Sequence, residues 1–310
     1  MAVQNSISQQ KSSPTWRRRR YGLTRQEKTA ILFVLPLMIP LMIYWIIPSL
    51  SSLYYSFTNY SVVMATKWVG LNNFTRMWAD NLFWRSLKNS AYFTVGNIPL
   101  VMVFGLILAV AVNARIRFRN FFRVVFYLPL VTSTIAISMV WLWLLDPNFG
   151  LLNVGLKIIG VHPQLWLQST KQAMPSIIMM SVWEGVGGTM LIYLAGLQGI
   201  PESLYEAAKV DGANNWQTFW FITIPMLMPV TVYVLVTSII GSFQIFGPIY
   251  AMTDGGPAFA TTTIVHQIYI NGFRYFNMGY GASQSWVLFL LLLGLSITNM
   301  RLMTRGMEVA

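Results

Sequence analysis

The sequence predicts an all-α, polytopic membrane protein, with six transmembrane helices and a short helix that connects the fourth to the fifth. Of its 310 residues, 55% are apolar and only 10% are charged, whereas charged residues make up about 25% of a soluble domain. The mean hydropathy is +0.55, and long stretches without charge recur along the chain. This composition excludes a disordered chain, a disulfide scaffold and an ordinary soluble enzyme, and the chain contains no cysteine.

Six stretches are long enough for a helix to cross the hydrocarbon core, which takes about 20 apolar residues. A helix is expected in each because lipid cannot satisfy the backbone amides of an open chain. Glu184 is the only carboxylate well inside one of these stretches. The predicted spans cover residues 30–57, 89–113, 123–146, 172–200, 223–250 and 282–300.

The longest connecting segments, 58–88, 146–171 and 251–281, are rich in aromatic residues. This composition suits short helices that lie at the membrane surface. Two interpretations remain open for these segments. They form an interfacial aromatic belt, or they form a surface on which an external partner docks.

Lysine and arginine are distributed unequally between the two sides of this topology. The side that holds both termini carries 14 of these residues and the other side carries 7. Because basic residues accumulate in cytoplasmic segments, both termini are predicted to be cytoplasmic. The same bias accounts for the net charge of +12 without a nucleic-acid partner. The predicted organisation is a disordered basic cytoplasmic tail over 1–29, a transmembrane domain over 30–303 and a cytoplasmic tail over 304–310.

The segment 199–222, between the fourth and fifth spans, contains start and stop signals for short helices. Pro201 suits a first helical position, and Glu202 is favourable at the positive end of a helix dipole. Gly212 can supply a left-handed stop, and Asn214 an N-cap for the next helix. The pattern predicts a helix of about three turns on the cytoplasmic face, followed by a sharp turn.

The same segment resembles the EAA loop of binding-protein-dependent ABC import permeases. Glu-Ala-Ala at 206–208 is followed after three residues by Gly212, and after nine more by Ile222. The family usually has leucine where this chain has Ile224, just before a proline. The resemblance covers about 70–300, and further motifs are similar to the carbohydrate branch that includes the maltose and glycerol-phosphate permeases. These motifs lie at 70–74, 126–129, 197–201, 253–257 and 261–262.

The resemblance implies a permease subunit of an ATP-driven importer, in a bacterial or archaeal inner membrane, with a cytoplasmic helix that couples it to a separate ATPase. The implied partners are a second permease chain, often a different homologue, two ATPase subunits and an extracytoplasmic solute-binding protein. The chain lacks a phosphate-binding loop sequence. It is therefore expected to be no enzyme and to hold no cofactor, with ATP and Mg bound by the partner ATPase. The residues implied in ATPase coupling are Glu206, Ala207, Ala208, Asp211, Gly212 and Ala213.

A solute path is predicted from polar and small residues at membrane depth, where a charge is costly and usually functional or paired. In the similar maltose-type permeases the stretch around Glu184 lines the sugar site. The three glycines beside it are expected to loosen or open the helix and to leave room for a ligand or a neighbouring helix. The alternative is that Glu184 pairs with a basic loop residue near the outer leaflet. On the fifth span, one face of small and hydroxyl residues is either a sugar-contacting stripe or a helix-packing face. The predicted path residues are Glu184, Gly185, Gly188, Ser238, Gly241, Ser242 and Ile245.

The predicted function is import of a sugar or sugar-like solute that an external binding protein delivers. A self-contained secondary transporter is expected to show inverted repeats and buried ion ligands, and a membrane enzyme is expected to cluster acid, base or metal-binding groups. Neither pattern is visible in the sequence, where His162 and His266 lie far apart and suggest no metal site. A permease for another class of solute is the nearest alternative.

Overall fold

The computed structural model describes residues 25–114 and 117–307. The basic tail predicted over 1–29 therefore lies, up to residue 24, outside the described residues. The chain divides into two compact units, residues 1–51 and 52–310. The described part of the first unit is helical throughout, and the second unit carries the candidate site.

Helices account for nearly all regular structure in the described residues, so the all-α prediction is confirmed. The only β-pairing among these residues is an isolated bridge between Thr58 and Trp68. Short π-helices occupy Met42–Ile46, Phe219–Thr223 and Ile270–Arg274, and a 3₁₀ turn occupies Trp166–Gln168. The α-helices are α1 (Arg25–Leu41), α2 (Ile47–Ser56), α3 (Asn72–Ala79), α4 (Asn81–Asn113), α5 (Arg119–Val131), α6 (Thr134–Leu144), α7 (Leu151–Ile158), α8 (Ala173–Gln198), α9 (Glu202–Val210), α10 (Asn215–Thr218), α11 (Ile224–Met226), α12 (Met228–Phe243), α13 (Gly247–Met252), α14 (Ile264–Tyr269) and α15 (Met278–Met307).

Five helical segments are long and apolar enough to cross a membrane, and a sixth span is formed if α5 and α6 are taken together. Each of the six predicted spans thus has a helical counterpart among the described residues. Short helices are also present in the aromatic segments, as α3, α7 and α14, and α14 buries Ile264, His266 and Gln267. The five long segments are Thr29–Ser56, Asn81–Asn113, Ala173–Gln198, Met228–Met252 and Met278–Arg301.

The prediction of one continuous helix over 123–146 is wrong. In the structure α5 and α6 meet at an angle of 97°. Pro129 has no N–H to continue the helical hydrogen bonds, and Thr132 leaves the helical conformation with ψ of 149°. With 13 and 11 residues, at about 1.5 Å per residue, neither helix alone reaches across the roughly 30 Å of the hydrocarbon core.

Some helices extend beyond the charge-free stretches from which the spans were predicted. α4 begins at Asn81, where the Asp80 side chain accepts a hydrogen bond from the backbone N–H of Leu82 at 2.8 Å. Arg85 consequently lies in the second turn of this helix. At the other end of the chain, α15 continues to Met307, into the segment predicted as a tail. Charge-free stretches therefore identify the spanning helices but not their ends, because a helix can continue beyond the membrane.

The centre of the second unit is formed by α4 and α8, which pack along each other. A Cβ on Gly105 of α4 would lie 2.6 Å from Thr189 Cγ2 of α8, so only glycine permits this close approach. α5 and α12 pack against the same pair of helices. The apolar clusters that result bury Ile177, Met180 and Met190 of α8 completely.

The contacts of α4 define two ends of this bundle. Asn113, at the C-terminus of α4, lines the same cavity as residues of α9. Near the other end, Asn89 Nδ2 donates hydrogen bonds to the backbone oxygens of Phe259 and Thr262, at 3.0 and 2.9 Å. The helix between Asn89 and Asn113 is about 36 Å long at 1.5 Å per residue. The loop 253–263 and α9 therefore lie at opposite ends.

Candidate functional site

The start of α9 follows the sequence pattern with a shift of one residue. Pro201 is the N-cap, with ψ of 131°, rather than the first helical residue. Glu202 takes the first position, where a carboxylate is favourable beside the unpaired N–H groups of the helix. Further along, Glu206 and Ala207 are exposed whereas Ala208 is buried. α9 thus has one face toward the bundle and one face that is free.

The end of α9 is a Schellman motif built on Gly212. The Gly212 N–H donates to Lys209 O at 3.1 Å, and the Ala213 N–H donates to Ala208 O at 2.9 Å. This pair of bonds requires a left-handed residue after the helix, and Gly212 has φ of +77°. The left-handed stop predicted at this position is confirmed.

The next helix, α10, begins with a capping box, so the N-cap predicted at Asn214 is also confirmed. Asn214 Oδ1 accepts from the Gln217 N–H at 2.9 Å, and Gln217 Oε1 accepts from the Asn214 N–H at 2.9 Å. The hydroxyl oxygens of Tyr205 and Thr223 lie 3.2 Å apart and tie α9 to the segment that returns to the membrane. Only Ala213 separates the Schellman glycine from the capping box. The corner between α9 and α10 is therefore held by local hydrogen bonds on both sides.

A cavity of about 450 Å³ lies behind α9. Its lining includes Glu202 and Glu206 of α9, and Asn113 and Leu197 from the ends of α4 and α8. This space separates part of α9 from the spans, and the contacts that hold the helix include the one between Tyr205 and Thr223. Glu206 faces both this cavity and solvent.

Glu184 lies within α8 and accepts a hydrogen bond from Thr134 Oγ1 at 2.6 Å. Its partner is therefore a hydroxyl on α6, not the basic loop residue that the alternative interpretation requires. Thr134 also approaches the start of α13, because a Cβ on Gly247 would lie 3.3 Å from Thr134 Cγ2. The half-buried carboxylate thus lies near the break between α12 and α13.

The expectation that glycines loosen the helix around Glu184 is wrong, since α8 is continuous. The room that they were expected to leave for a neighbouring helix is present. A Cβ on Gly187 would overlap the carbonyl oxygen of Phe126, and one on Gly188 would lie 2.8 Å from Leu130 Cδ2. Gly185 has more room, with its nearest neighbour 3.9 Å away. Gly187 and Gly188 are thus packing positions for α5, whatever Gly188 contributes to solute binding.

Gly187→Ala is expected to lower the amount of folded protein in the membrane several-fold. The added methyl group has to displace backbone rather than a side chain, and overpacking of this kind costs about 1–3 kcal/mol or more. Gly185→Ala, two residues away in the same helix, is the matched control. Membrane abundance and the thermal unfolding midpoint in detergent are the measurements. Equal behaviour of the two variants would contradict the proposed contact with α5.

The four predicted path residues of the fifth span do not share one helical face. Ser238, Gly241 and Ser242 lie on α12, but the helix ends at Phe243, and Ile245 lies beyond that end in an apolar cluster. No atom lies within 4 Å of a Cβ built on Gly241, so this position faces open space. Ser242 is buried.

Sequence reasoning missed two polar partners of the candidate path, Asn97 and Thr134. Asn97 Nδ2 donates to Ser242 Oγ at 3.3 Å, while Asn97 Oδ1 is buried without a hydrogen-bond partner among the described residues. An asparagine in an apolar span was the available signal, because an amide at membrane depth needs partners. Thr134 gave no signal, since threonine is common in membrane helices.

No group of three or more histidine, aspartate or glutamate side chains is placed to hold a metal ion in residues 25–114 and 117–307. The candidate site therefore consists of a capped corner at one end and a polar strip at membrane depth.

The chain belongs to the family of binding-protein-dependent transport system inner membrane components, whose model matches residues 101–304. It is thus a permease subunit of the ABC importer class. It is 37% identical over 272 residues to the lactose transport system permease protein LacF of Rhizobium radiobacter, covering 86% of this chain and 90% of that protein. It is 34% identical over 274 residues to the sn-glycerol-3-phosphate transport system permease protein UgpA of Agrobacterium fabrum, covering 87% and 92%.

A solved structure shares the fold. A chain of a bacterial ABC transporter involved in the import of the acidic polysaccharide alginate superimposes with a TM-score of 0.81 at 22% identity, covering 90% of this chain and 96% of that chain. The same type of transporter has been crystallised in complex with its alginate pentasaccharide-bound periplasmic protein, at a TM-score of 0.79 and 22% identity. At this identity the likeness establishes the fold.

Proposed function

We propose that this chain imports a sugar or sugar-like solute as one of two permease subunits, and that α9 docks on a separate ATPase. The observation that carries the proposal is the corner at Gly212, a short capped helix with a free face between two spans. Val210, the last residue of that helix, is 88% exposed and lies on this free face. The predicted coupling residues 206–208 and 211–213 surround it.

The proposed orientation places both termini and α9 in the cytoplasm. The bias of 14 basic residues against 7 supports this orientation. The structure adds that α9 and the 253–263 loop lie at opposite ends of the bundle. The loop is accordingly extracytoplasmic, on the side from which a solute-binding protein would deliver its cargo.

A carbohydrate is the proposed cargo because the relatives named above include a lactose and a glycerol-phosphate permease. The polar strip at membrane depth supports the same class, since it offers a carboxylate, an amide and short hydroxyls. Such groups offer several hydrogen bonds to a neutral polyhydroxy solute. We propose that a second permease chain completes the path.

The test is to purify this chain with its ATPase, its second permease and its binding protein, and to measure uptake in vesicles. A panel of labelled lactose, maltose, trehalose and sn-glycerol-3-phosphate is added with the binding protein. ATP-dependent accumulation of one of these solutes is the expected result. Accumulation driven by an ion gradient with this chain alone would indicate a secondary transporter. Failure to retain an ATPase, or ATP-dependent transport of only non-carbohydrate solutes, would overturn the proposal.

A further inference from the structure

Four aromatic rings form one continuous group beside the 253–263 loop, at the end of the bundle opposite α9. Phe246 and Tyr250 stack with ring centroids 5.4 Å apart, and Tyr269 and Phe273 stack at 5.7 Å. The centroids of Phe246 and Tyr269 are 5.0 Å apart, which joins the two pairs. We call these four residues the aromatic platform. Phe273 is 63% exposed, so the platform is open at that edge.

An ion pair borders the platform. Arg274 Nη1 lies 2.7 Å from Asp254 Oδ2, and the two side chains remain 40% and 47% exposed. The guanidinium carbon lies 5.8 and 5.9 Å from the ring centroids of Tyr250 and Tyr269. The hydrogen bond from Arg274 holds the pKa of the Asp254 carboxyl below its usual range. Both groups are therefore charged at neutral pH and keep polar atoms open to a ligand.

The buried side chain of His266 contacts the second carboxylate oxygen of Asp254. Its side chain is 0% exposed, and its Nε2 lies 3.1 Å from Asp254 Oδ1. Burial lowers the pKa of His266, so the ring is neutral at neutral pH and Nε2–H donates to the carboxylate. With Arg274 on one oxygen and His266 on the other, the carboxylate has a defined orientation.

One residue of the platform, Phe246, lies beside the candidate path. Phe246 directly precedes Gly247, whose Cβ position lies 3.3 Å from Thr134 Cγ2. Thr134 in turn donates to Glu184 at 2.6 Å. Phe246 of the platform is thus adjacent in sequence to the segment that approaches Thr134, the hydrogen-bond donor to Glu184.

Sugars are recognised by aromatic planes, which pack against their C–H faces, together with planar polar groups that bond adjacent hydroxyls. Arginine and aspartate present their polar atoms in such fixed planes. We propose that the aromatic platform and the Arg274–Asp254 pair form an entry subsite that receives the carbohydrate as the binding protein releases it. This inference rests on the proposed function and adds a place where the solute is held before it reaches Glu184.

An interfacial aromatic belt would use the same residue types. The pair Trp78 and Trp84 at the same end illustrates that alternative, since Trp84 Nε1 donates to the backbone oxygen of Trp78 at 3.0 Å and Trp78 is largely exposed. The platform differs because it borders a fixed ion pair and adjoins the segment that approaches Thr134. A belt needs neither feature.

The test compares Phe273→Ala with Trp78→Ala in the reconstituted importer. Both side chains are exposed, so both variants are expected to fold. The measured quantity is solute transported per ATP hydrolysed, with whichever solute of the panel the wild type accumulates. Loss of the subsite lets the released solute escape outward, so Phe273→Ala is expected to lower this ratio about three- to tenfold at unchanged binding-protein-stimulated ATPase. Phe273→Trp retains an aromatic plane and should restore most of the ratio.

Each other outcome contradicts the entry subsite in a distinguishable way. If Phe273→Ala transports as well as the wild type, or loses no more than Trp78→Ala, the platform is an interfacial belt. If the variant instead needs more binding protein for half-maximal ATPase activity at an unchanged ratio, the platform is a protein docking surface. If the wild type accumulates no solute of the panel, the proposed function is contradicted, and with it the entry subsite that rests on it.

Discussion

Gly212→Val is expected to abolish solute uptake while the protein still inserts and accumulates in the membrane. A Cβ at this position would have no atom within 4 Å, so the variant suffers no clash. The cost arises from the backbone, because φ of +77° is strongly unfavourable for a β-branched residue. A strain of about 1–3 kcal/mol shifts the population of the turn by about 5- to 150-fold. Uptake and retention of the ATPase on purification are the measurements.

Gly160→Val is the matched control for this prediction. Gly160 has φ of +78° and likewise no atom within 4 Å of a built Cβ, but it lies in the segment after α7. The backbone strain is the same in both variants, and only Gly212 adjoins α9. Normal uptake in Gly212→Val, or an equal loss in Gly160→Val, would contradict a role for the α9 corner in coupling.

Gly241→Trp is expected to block uptake without reducing the amount of assembled complex. The position faces open space on α12, so an indole group can project without displacing packed atoms. If that space is the solute path, a bulky side chain there reduces uptake far more than the removal of one neutral hydrogen bond does. Removing such a bond costs only about 0.5–1.5 kcal/mol. Tryptophan at Ser242 or Gly188 is less informative, because Ser242 is buried and Gly188 packs against Leu130.

The control for that variant is Gly294→Trp. Gly294 lies in the membrane-spanning part of α15 and also has no atom within 4 Å of a built Cβ. Uptake and ATPase activity are measured on the same preparations. A parallel fall of both activities in Gly241→Trp would indicate a packing position, and full uptake would place the solute path elsewhere.

The corner at α9 could be predicted in detail because its determinants are local. A Schellman glycine and a capping box each depend on residues within a few positions of one another, and Gly212 and Asn214 adopt the expected roles. The spans were predictable for a different reason, since a bilayer demands a minimum apolar length. The apolar length did not predict the helix ends, because Arg85 lies in the same helix as the apolar residues after it.

The bend between α5 and α6 and the polar partners of the path could not be predicted, because both depend on packing. Pro99 lies inside α4 without interrupting it, whereas Pro129 precedes a bend of 97°. The hydrogen bond between Asn97 and Ser242 joins residues 145 positions apart in the chain. No local pattern in the sequence encodes such a pair.

The adjoining caps at the α9 corner have a mechanical consequence. A helix that ends in unpaired amides can fray, and fraying would absorb a small displacement before it reached the next element. Here the Schellman bonds include the N–H of Ala213 and the capping box begins at Asn214, so the two hydrogen-bond systems follow each other directly. A displacement of α9 is therefore transmitted directly to α10. Residues 201–218 carry these bonds within themselves, so this segment could be exchanged between related permeases with its caps intact.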